Sequence, residues 1–269
     1  MNRIDKCFEE LKKSGSKALI TFITAGDPDM DTTVSTALSM FENGADIIEL
    51  GVPFSDPIAE GVTIQKSSLR SLNGGTTLDK IFGAVDRIRE KTDKPLILMM
   101  YLNTIFVYGT EKFFSLCKEK GVDGVIVPDM PYEEREEILP YAEQYGVHNI
   151  NLVSPASHER IKRIASDSTG FLYCVSSNGV TGVRSEFQTD FDKFFGIIRE
   201  NASCPCCVGF GISSPEQAKK MASYCDGVIV GSAVVRIMEA NGVNSPEPVG
   251  SFTKSLACLL YTSDAADDK

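Results

Sequence analysis

Three carboxylates in residues 49–61 carry the clearest chemical signal in the chain. Glu49 ends a mostly apolar run, and Asp56 and Glu60 lie in the Gly/Pro-rich loop that follows it. A buried strand that ends in one carboxylate and faces a second on a loop supplies a partly desolvated acid and a base beside one substrate. We therefore predict acid–base chemistry by Glu49 and Glu60. The alternatives are a satisfied core acid at Glu49 and a solvated loop acid at Glu60, while Asp56 is either a turn residue before Pro57 or a contact to a partner.

Glycines in three consecutive loops near the end of the chain predict a phosphate site. These are Gly182, Gly211 and the pair Gly231-Ser232, after which a helical pattern begins. Glycine lets backbone N–H groups approach an anion, and a helix N-terminus adds a partial positive charge. Because these turns contain no Lys or Arg, backbone amides would carry most of the recognition. The alternative is that the glycines only permit tight turns.

Apolar and aromatic residues near the ends of predicted strands are core residues by default. Those nearest the strand ends are also candidates to wall a pocket for a flat aromatic substrate. The whole apolar set consists of Phe22, Met100, Tyr101, Ile126, Val153 and Tyr173.

The elements that must position these residues follow a regular pattern. Short β-branched or apolar runs alternate with amphipathic segments, which predicts a parallel sheet covered by helices. Eight such units fit a single-domain (β/α)₈ TIM barrel over residues 1–257, whose active site lies on loops after the strands. A doubly wound open sheet is the alternative, but no Gly-x-Gly-x-x-Gly follows the first run. The predicted strands span 18–24, 46–50, 95–102, 124–127, 148–153, 170–175, 205–209 and 227–230.

The two ends of the chain have distinct patterns. Ile4, Cys7, Phe8 and Leu11 have helical spacing, which predicts an N-terminal amphipathic helix over residues 2–13. Residues 258–269 resemble the translation of a sequencing-library adapter, so we predict that they form a non-native, disordered tail.

Charge and cysteine content exclude several classes of function. The net charge of −10 argues against nucleic acid or an anionic membrane as the main partner, and no apolar run approaches the roughly 20 residues that a membrane span needs. The only cysteine cluster, Cys204 to Cys207, lacks histidines at ligand spacing, so we expect no metal site. The scattered cysteines indicate reduced thiols in the cytoplasm.

These motifs closely resemble those of the tryptophan synthase α subunit family, from about residue 2 to residue 257. The resemblance is most specific over residues 49–61, whereas many phosphate-binding barrels share the glycine turns. The segments that carry it are residues 22–28, 49–61, 177–182, 209–213 and 231–232.

The resemblance implies a carbon–carbon lyase of tryptophan biosynthesis, which splits indole-3-glycerol phosphate into indole and glyceraldehyde 3-phosphate by a retro-aldol step. Glu49 would serve as acid and base, and Glu60 would assist at the indole N–H with Thr181 as its loop partner. Phe22, Met100, Ile126 and Tyr173 would line the indole pocket, and Gly182, Gly211, Gly231 and Ser232 would hold the phosphate.

The resemblance also implies an α₂β₂ heterotetramer. The β subunit would hold pyridoxal phosphate, leaving no cofactor in this chain, and Pro53, Asp56 and Pro57 would face that partner. The chain departs from the family at two positions, with Glu60 in place of aspartate and Val62 in place of proline. Two alternatives therefore stay open: a β-subunit activator with weak chemistry of its own, and another phosphate-binding barrel that acts as an isomerase.

Overall fold

The computed structural model describes residues 1–155, 158–175, 191–209 and 211–261, which form a ring of parallel strands surrounded by helices. The hydrogen-bonded strand order is β5-β4-β3-β2-β1-β9-β8-β7-β6. The strands are β1 (Ala18–Thr24), β2 (Ile47–Gly51), β3 (Leu96–Met99), β4 (Gly124–Ile126), β5 (His148–Asn149), β6 (Leu152–Val153), β7 (Leu172–Val175), β8 (Cys206–Gly209) and β9 (Gly227–Val230).

The two edge strands, β5 and β6, are parts of one interrupted strand. Only Ile150 and Asn151 separate them along the chain. The Ile150 N–H donates to the Val125 carbonyl of β4 at 2.9 Å, and the Tyr173 N–H of β7 donates to the Asn151 carbonyl at 3.0 Å. This segment therefore joins both edges and closes the sheet, which confirms the predicted eight-unit TIM barrel.

Helices cover the outside of the ring. None of the helices in the described ranges is long and apolar enough to cross a membrane. The helices are α1 (Arg3–Ser14), α2 (Met30–Glu42), α3 (Val62–Asn73), α4 (Leu78–Arg89), α5 (Leu102–Tyr108), α6 (Thr110–Lys120), α7 (Leu139–Tyr145), α8 (His158–Ser166), α9 (Phe191–Asn201), α10 (Pro215–Ala222), α11 (Ser232–Asn241) and α12 (Pro246–Tyr261), with short 3₁₀ turns at Tyr132–Glu137 and Gly242–Asn244.

Helix α1 closes the end of the barrel at which the strands begin. Asn2 caps the helix by accepting the Ile4 N–H at 2.9 Å, as N-cap side chains commonly do. Ile4, Phe8 and Leu11 are buried in one cluster with the first inward residue of β1, Ala18. The predicted amphipathic helix is thus confirmed. Helix α1 therefore covers the barrel axis at this end.

The last helix extends past the predicted boundary at residue 258. Helix α12 continues to Tyr261, and Leu256, Ala257 and Leu260 all pack into the core between strands and helices. Leu260 repeats the apolar side one helical turn after Leu256, so the helix gains buried surface by continuing. Residues 262–269 lie outside the described residues, and the non-native, disordered tail stays a prediction.

Candidate active site

A partly enclosed cavity lies at the carboxyl ends of the strands. Its wall is mostly apolar and contains two acids and two glycines, the composition that small-molecule sites commonly have. The lining residues are Phe22, Glu49, Ala59, Glu60, Ile64, Met99, Pro128, Leu152, Tyr173, Gly211, Ile212, Ile229, Gly231 and Ser232.

Glu49 faces the barrel interior from β2. Its neighbours in the sheet are Phe22 on β1 and Ile97 on β3, and the three side chains share the inward face. Glu49 is 0% exposed, and neither carboxylate oxygen has a hydrogen-bond partner within the described ranges. Burial without a partner raises the pKa of Glu49 to about 8. The carboxyl group is therefore protonated at neutral pH and can act as an acid.

Glu60 has a different environment in the loop between β2 and α3. Partial burial raises the pKa of Glu60, a hydrogen bond from the Tyr101 hydroxyl lowers it, and the nearby Asp129 charge raises it. Its second oxygen, Oε2, is buried and has no hydrogen-bond partner among the described residues. Glu60 thus combines one oxygen held by a donor with one that is available to a ligand. Two carboxyl groups in unlike surroundings are suited to different roles in one reaction.

Tyr101 is a residue of this site that the sequence prediction left among the core aromatics. It directly precedes α5 and is 3% exposed, and its hydroxyl accepts the backbone N–H groups of Ile58 and Ala59, both at 3.0 Å. A buried tyrosine hydroxyl almost always finds a polar partner. Tyr101 stands at a strand end beside the Glu60 loop. Applying this rule to it could have predicted from the sequence that its hydroxyl contacts that loop.

Two glycines leave room for the aromatic walls of the cavity. A Cβ on Gly51 would lie 2.4 Å from Cζ of Phe22, and one on Gly209 would lie 2.4 Å from Oη of Tyr173. Tyr173 lies close enough to Glu49 that the carboxylate charge adds to burial in raising the pKa of Tyr173. Glycine at these strand ends therefore lets both rings lie flat against the sheet beside the buried acid.

The opposite part of the wall consists of backbone groups suited to an anion. Helix α11 begins at Ser232 after Gly231, and none of the side chains in the described ranges caps it. Its first N–H groups are therefore available beside the cavity, where the partial positive charge of the helix end favours an anion. Gly211 has φ +86°, in the left-handed region that favours glycine. These three residues are the described part of the predicted phosphate site.

Met100 and Ile126 do not line the cavity, in contrast to the sequence prediction. Side chains alternate along β3, so Met99 shares the inward face with Ile97, and Met100 packs into the outer core against the helices. Ile126 faces inward but is fully buried, and Pro128, two residues later, reaches the cavity instead. The prediction also missed a further set of lining residues: Ala59, Ile64, Leu152, Ile212 and Ile229. Thr181 and Gly182 lie outside the described residues.

The predicted partner-facing residues differ in exposure. Asp56 is exposed and Pro57 is half-buried, but Pro53 is buried within this chain and cannot present a free surface. Pro53 lies two residues after the end of β2, next to the buried Gly51 and Val52, so it still belongs to the packed end of the strand.

Metal-binding clusters are absent from the described part of the chain. The cysteines in the described ranges form no disulfide bonds. His148 is held between the Asp5 carboxylate, 2.9 Å from its Nε2, and the Thr169 hydroxyl, 3.0 Å from its Nδ1. The histidine therefore serves to fix α1 against the barrel.

Comparison with known proteins identifies one family. The family model described as tryptophan synthase alpha chain matches residues 8–256. The tryptophan synthase alpha chain of Thermoanaerobacter sp. (strain X514) is 51% identical over 97% of this chain and 100% of its own length. The crystal structure of the alpha chain from Legionella pneumophila has a TM-score of 0.90 at 36% identity, covering 98% of this chain and 99% of that one. A Pyrococcus furiosus tryptophan synthase a2b2 complex contains a chain with a TM-score of 0.80 at 34% identity, covering 90% of this chain and 98% of that one.

Proposed function

Because the chain belongs to the tryptophan synthase alpha chain family, whose members cleave indole-3-glycerol phosphate, we propose that Glu49 and Glu60 carry out this cleavage in the cavity described above. The observation that carries the proposal is Glu49 itself, a fully buried acid without a described partner, on the wall of a cavity open at one end. A buried carboxyl group of this kind destabilises the fold, so a chemical role explains its presence.

The reaction needs a group that both gives and takes a proton. Protonated Glu49 delivers its proton to C3 of the indole ring, which removes the ring's aromaticity and places positive charge on the ring nitrogen. The resulting Glu49 carboxylate accepts the proton of the side-chain hydroxyl next to the ring. The carbon–carbon bond to the ring then breaks, its electron pair restores the aromatic indole, and the former hydroxyl carbon becomes the aldehyde of glyceraldehyde 3-phosphate. Glu49 ends protonated, as it began.

Glu60 stabilises the positive charge that develops on the ring. Its free oxygen, Oε2, is buried on the cavity wall and is suited to accept the indole N–H, while its other oxygen is held by Tyr101. An ionised acceptor stabilises this nitrogen most strongly after C3 has been protonated, because the N–H then carries positive charge. This difference between ground state and intermediate is what lowers a barrier.

Binding uses the rest of the wall. The apolar side chains, led by Phe22, Met99 and Tyr173, enclose the flat indole ring. The phosphate lies at Gly211 and at the start of α11, where Gly231 and Ser232 present backbone N–H groups. With the ring and the phosphate held in this way, the carboxyl groups of Glu49 and Glu60 lie beside the bond that is cleaved. That bond joins the indole ring to the side chain that carries the phosphate.

We further propose a β subunit as the partner, in an α₂β₂ assembly in the cytoplasm, with pyridoxal phosphate on that subunit. Exposed apolar side chains occur on two segments that follow strand ends. Ile58, 73% exposed, lies in the loop between β2 and α3, and Phe106 and Val107, 46% and 80% exposed, lie on helix α5 after β3. Exposed apolar residues gathered near one rim indicate a protein contact. The described cysteines form no disulfide bonds, which agrees with a reducing compartment.

Indole release from indole-3-glycerol phosphate tests the proposal, with and without a β subunit. We expect turnover by this chain, an increase when the β subunit is added, and a loss of about 100-fold in Glu60→Gln. Glu60→Asp should also be slower, because its carboxylate withdraws by about 1.5 Å and misplacement of that size costs up to about 100-fold. The matched control is Glu42→Gln, an exposed acid at the end of α2. No loss in Glu60→Gln, or faster turnover in Glu60→Asp, would contradict the assigned role of Glu60.

A further inference from the structure

Three hydrogen bonds meet at one buried phenolic oxygen, that of Tyr101. The hydroxyl accepts the N–H groups of Ile58 and Ala59 at 3.0 Å each, and it is also bonded to the Glu60 side chain. A phenolic hydroxyl has one proton to donate and two lone pairs. Because the two backbone N–H groups occupy the acceptor side, the proton is left for the Glu60 carboxylate. The direction of this hydrogen bond is thus fixed by the backbone of the loop.

The ring of Tyr101 holds the other end of the same loop. It stacks on Phe54 with ring centroids 4.7 Å apart and planes inclined by 19°. The loop segment between the two contacts has little burial of its own, since Ser55 and Asp56 are both exposed. Tyr101 is itself 3% exposed and directly precedes α5, so it offers a fixed point on the neighbouring unit of the barrel.

We propose that Tyr101 is a positioning residue, whose hydroxyl fixes the Glu60 carboxylate and the loop that carries it against β3 so that Oε2 of Glu60 faces the substrate. The proposal rests on the proposed role of Glu60. It adds a residue that touches no reacting atom and acts only through Glu60 and its loop.

The charges around Glu60 explain why a donor is needed. Asp129, after β4, and Glu49, on β2, are the acidic groups that share its surroundings, and the Asp129 charge and partial burial both raise the pKa of Glu60. The Tyr101 hydrogen bond is the influence that lowers this pKa. The Tyr101 hydrogen bond therefore favours the ionised form of Glu60, the form that can accept the indole N–H.

Tyr101→Phe tests the proposal because it keeps the ring and removes only the hydroxyl. We expect kcat to fall by at least about tenfold with KM changed by less than about twofold, since the geometry and charge at the reacting nitrogen change while the binding surface does not. The acid limb of the pH profile of kcat/KM should move to higher pH, because the pKa of Glu60 rises without its donor. The control is Tyr108→Phe, which removes a hydroxyl bonded to Asp79 on the outside of the barrel.

Two further variants keep the test decisive. In a Glu60→Gln background, Tyr101→Phe should cause little additional loss, because its effect passes through Glu60. Site-specific 3-fluorotyrosine at position 101, a stronger donor, should move the acid limb to lower pH without a change of fold.

Each outcome separates this inference from the proposed function. Wild-type rates and an unmoved acid limb in Tyr101→Phe, with Glu60→Gln impaired, would overturn the role of Tyr101 alone. Equal losses from Tyr101→Phe in both backgrounds would also overturn it, because Tyr101 would then act elsewhere. Full activity in Glu60→Gln would overturn the role of Glu60 and the inference with it.

Discussion

Glu49→Gln should stabilise the fold at high pH, although it should destroy the activity. The substitution keeps the size and shape of a side chain that is 0% exposed, and it removes the ability to ionise. In the folded protein the pKa of Glu49 is raised from 4.5 to about 8 because burial disfavours the charged form. The folded state therefore binds the proton more tightly than the unfolded chain does. Wild-type stability must fall relative to the glutamine variant as pH rises through that interval.

The size of the effect follows from the two pKa values. Below about pH 4 both states hold the proton, and the acid adds no pH-dependent cost. From there to pH 8 the cost grows by about 1.4 kcal/mol per pH unit, reaching about 5 kcal/mol, and it stays constant above pH 8. The amide of glutamine contributes an offset that does not depend on pH. The quantity to measure is therefore the difference in free energy of unfolding between wild type and Glu49→Gln, and the prediction is how this difference changes with pH.

Urea unfolding followed by circular dichroism measures this difference. The free energy of unfolding is determined for wild type and Glu49→Gln at matched pH values from about 4 to 9, where all other titrating groups cancel in the comparison. Glu42→Gln, at an exposed position, should give a difference that stays nearly flat with pH. A difference for Glu49→Gln that changes by less than about 1 kcal/mol, or that favours wild type as pH rises, would refute the argument that Glu49 is a buried, unpartnered acid.

Three other expectations address catalysis, the cavity wall and the fold. The kcat/KM for indole release should fall as pH rises through about 8, because Glu49 must hold its proton to donate it; a profile that keeps rising there would contradict this. Gly209→Ala should raise KM by about tenfold or more, since its Cβ would lie 2.4 Å from Oη of Tyr173, and unchanged steady-state kinetics would disprove the close contact. Asp123→Asn should lower the free energy of unfolding by about 3 kcal/mol, because the guanidinium of Arg89, 2.7 Å from the buried carboxylate, loses its one anionic partner among the described residues; a loss below about 1 kcal/mol in urea unfolding would count against it.

The barrel could be predicted from the sequence because its pattern is regular. Eight apolar runs alternate with amphipathic segments, and each run became a strand of the closed sheet. The fifth run is assigned as two short strands, but it remains one segment that bridges β4 and β7. The placement of Glu49 and Glu60 in one cavity was predictable, because a carboxylate at a strand end and another in the following loop must lie on the same rim of a barrel.

The register of a fully apolar strand could not be predicted in the same way. Residues 96–100 are all apolar, and both faces of a barrel strand are buried, so hydrophobicity does not distinguish Met99 from Met100. The pairing of Ile97 with the inward-facing Glu49 settles the face, and that pairing exists only in the folded sheet.

Tyr101 and Pro53 were misjudged because their surroundings come from more than one element. The Tyr101 hydroxyl contacts a loop that is distant in sequence, since Ile58 lies 43 positions before it. Pro53 stands in a Gly/Pro-rich loop, yet the end of β2 is packed tightly enough to bury it. The composition of the sequence around Tyr101 and Pro53 predicts neither of these contacts.

The most direct test of the account is single-turnover formation of indole from indole-3-glycerol phosphate by Glu49→Gln, with substrate binding measured on the same protein by equilibrium dialysis. We predict that the variant binds the substrate within a few-fold of wild type and forms indole at least about 1,000-fold more slowly, because both proton transfers lose their group. Indole formation at the wild-type rate by a variant that binds normally would contradict the central claim that Glu49 performs the cleavage.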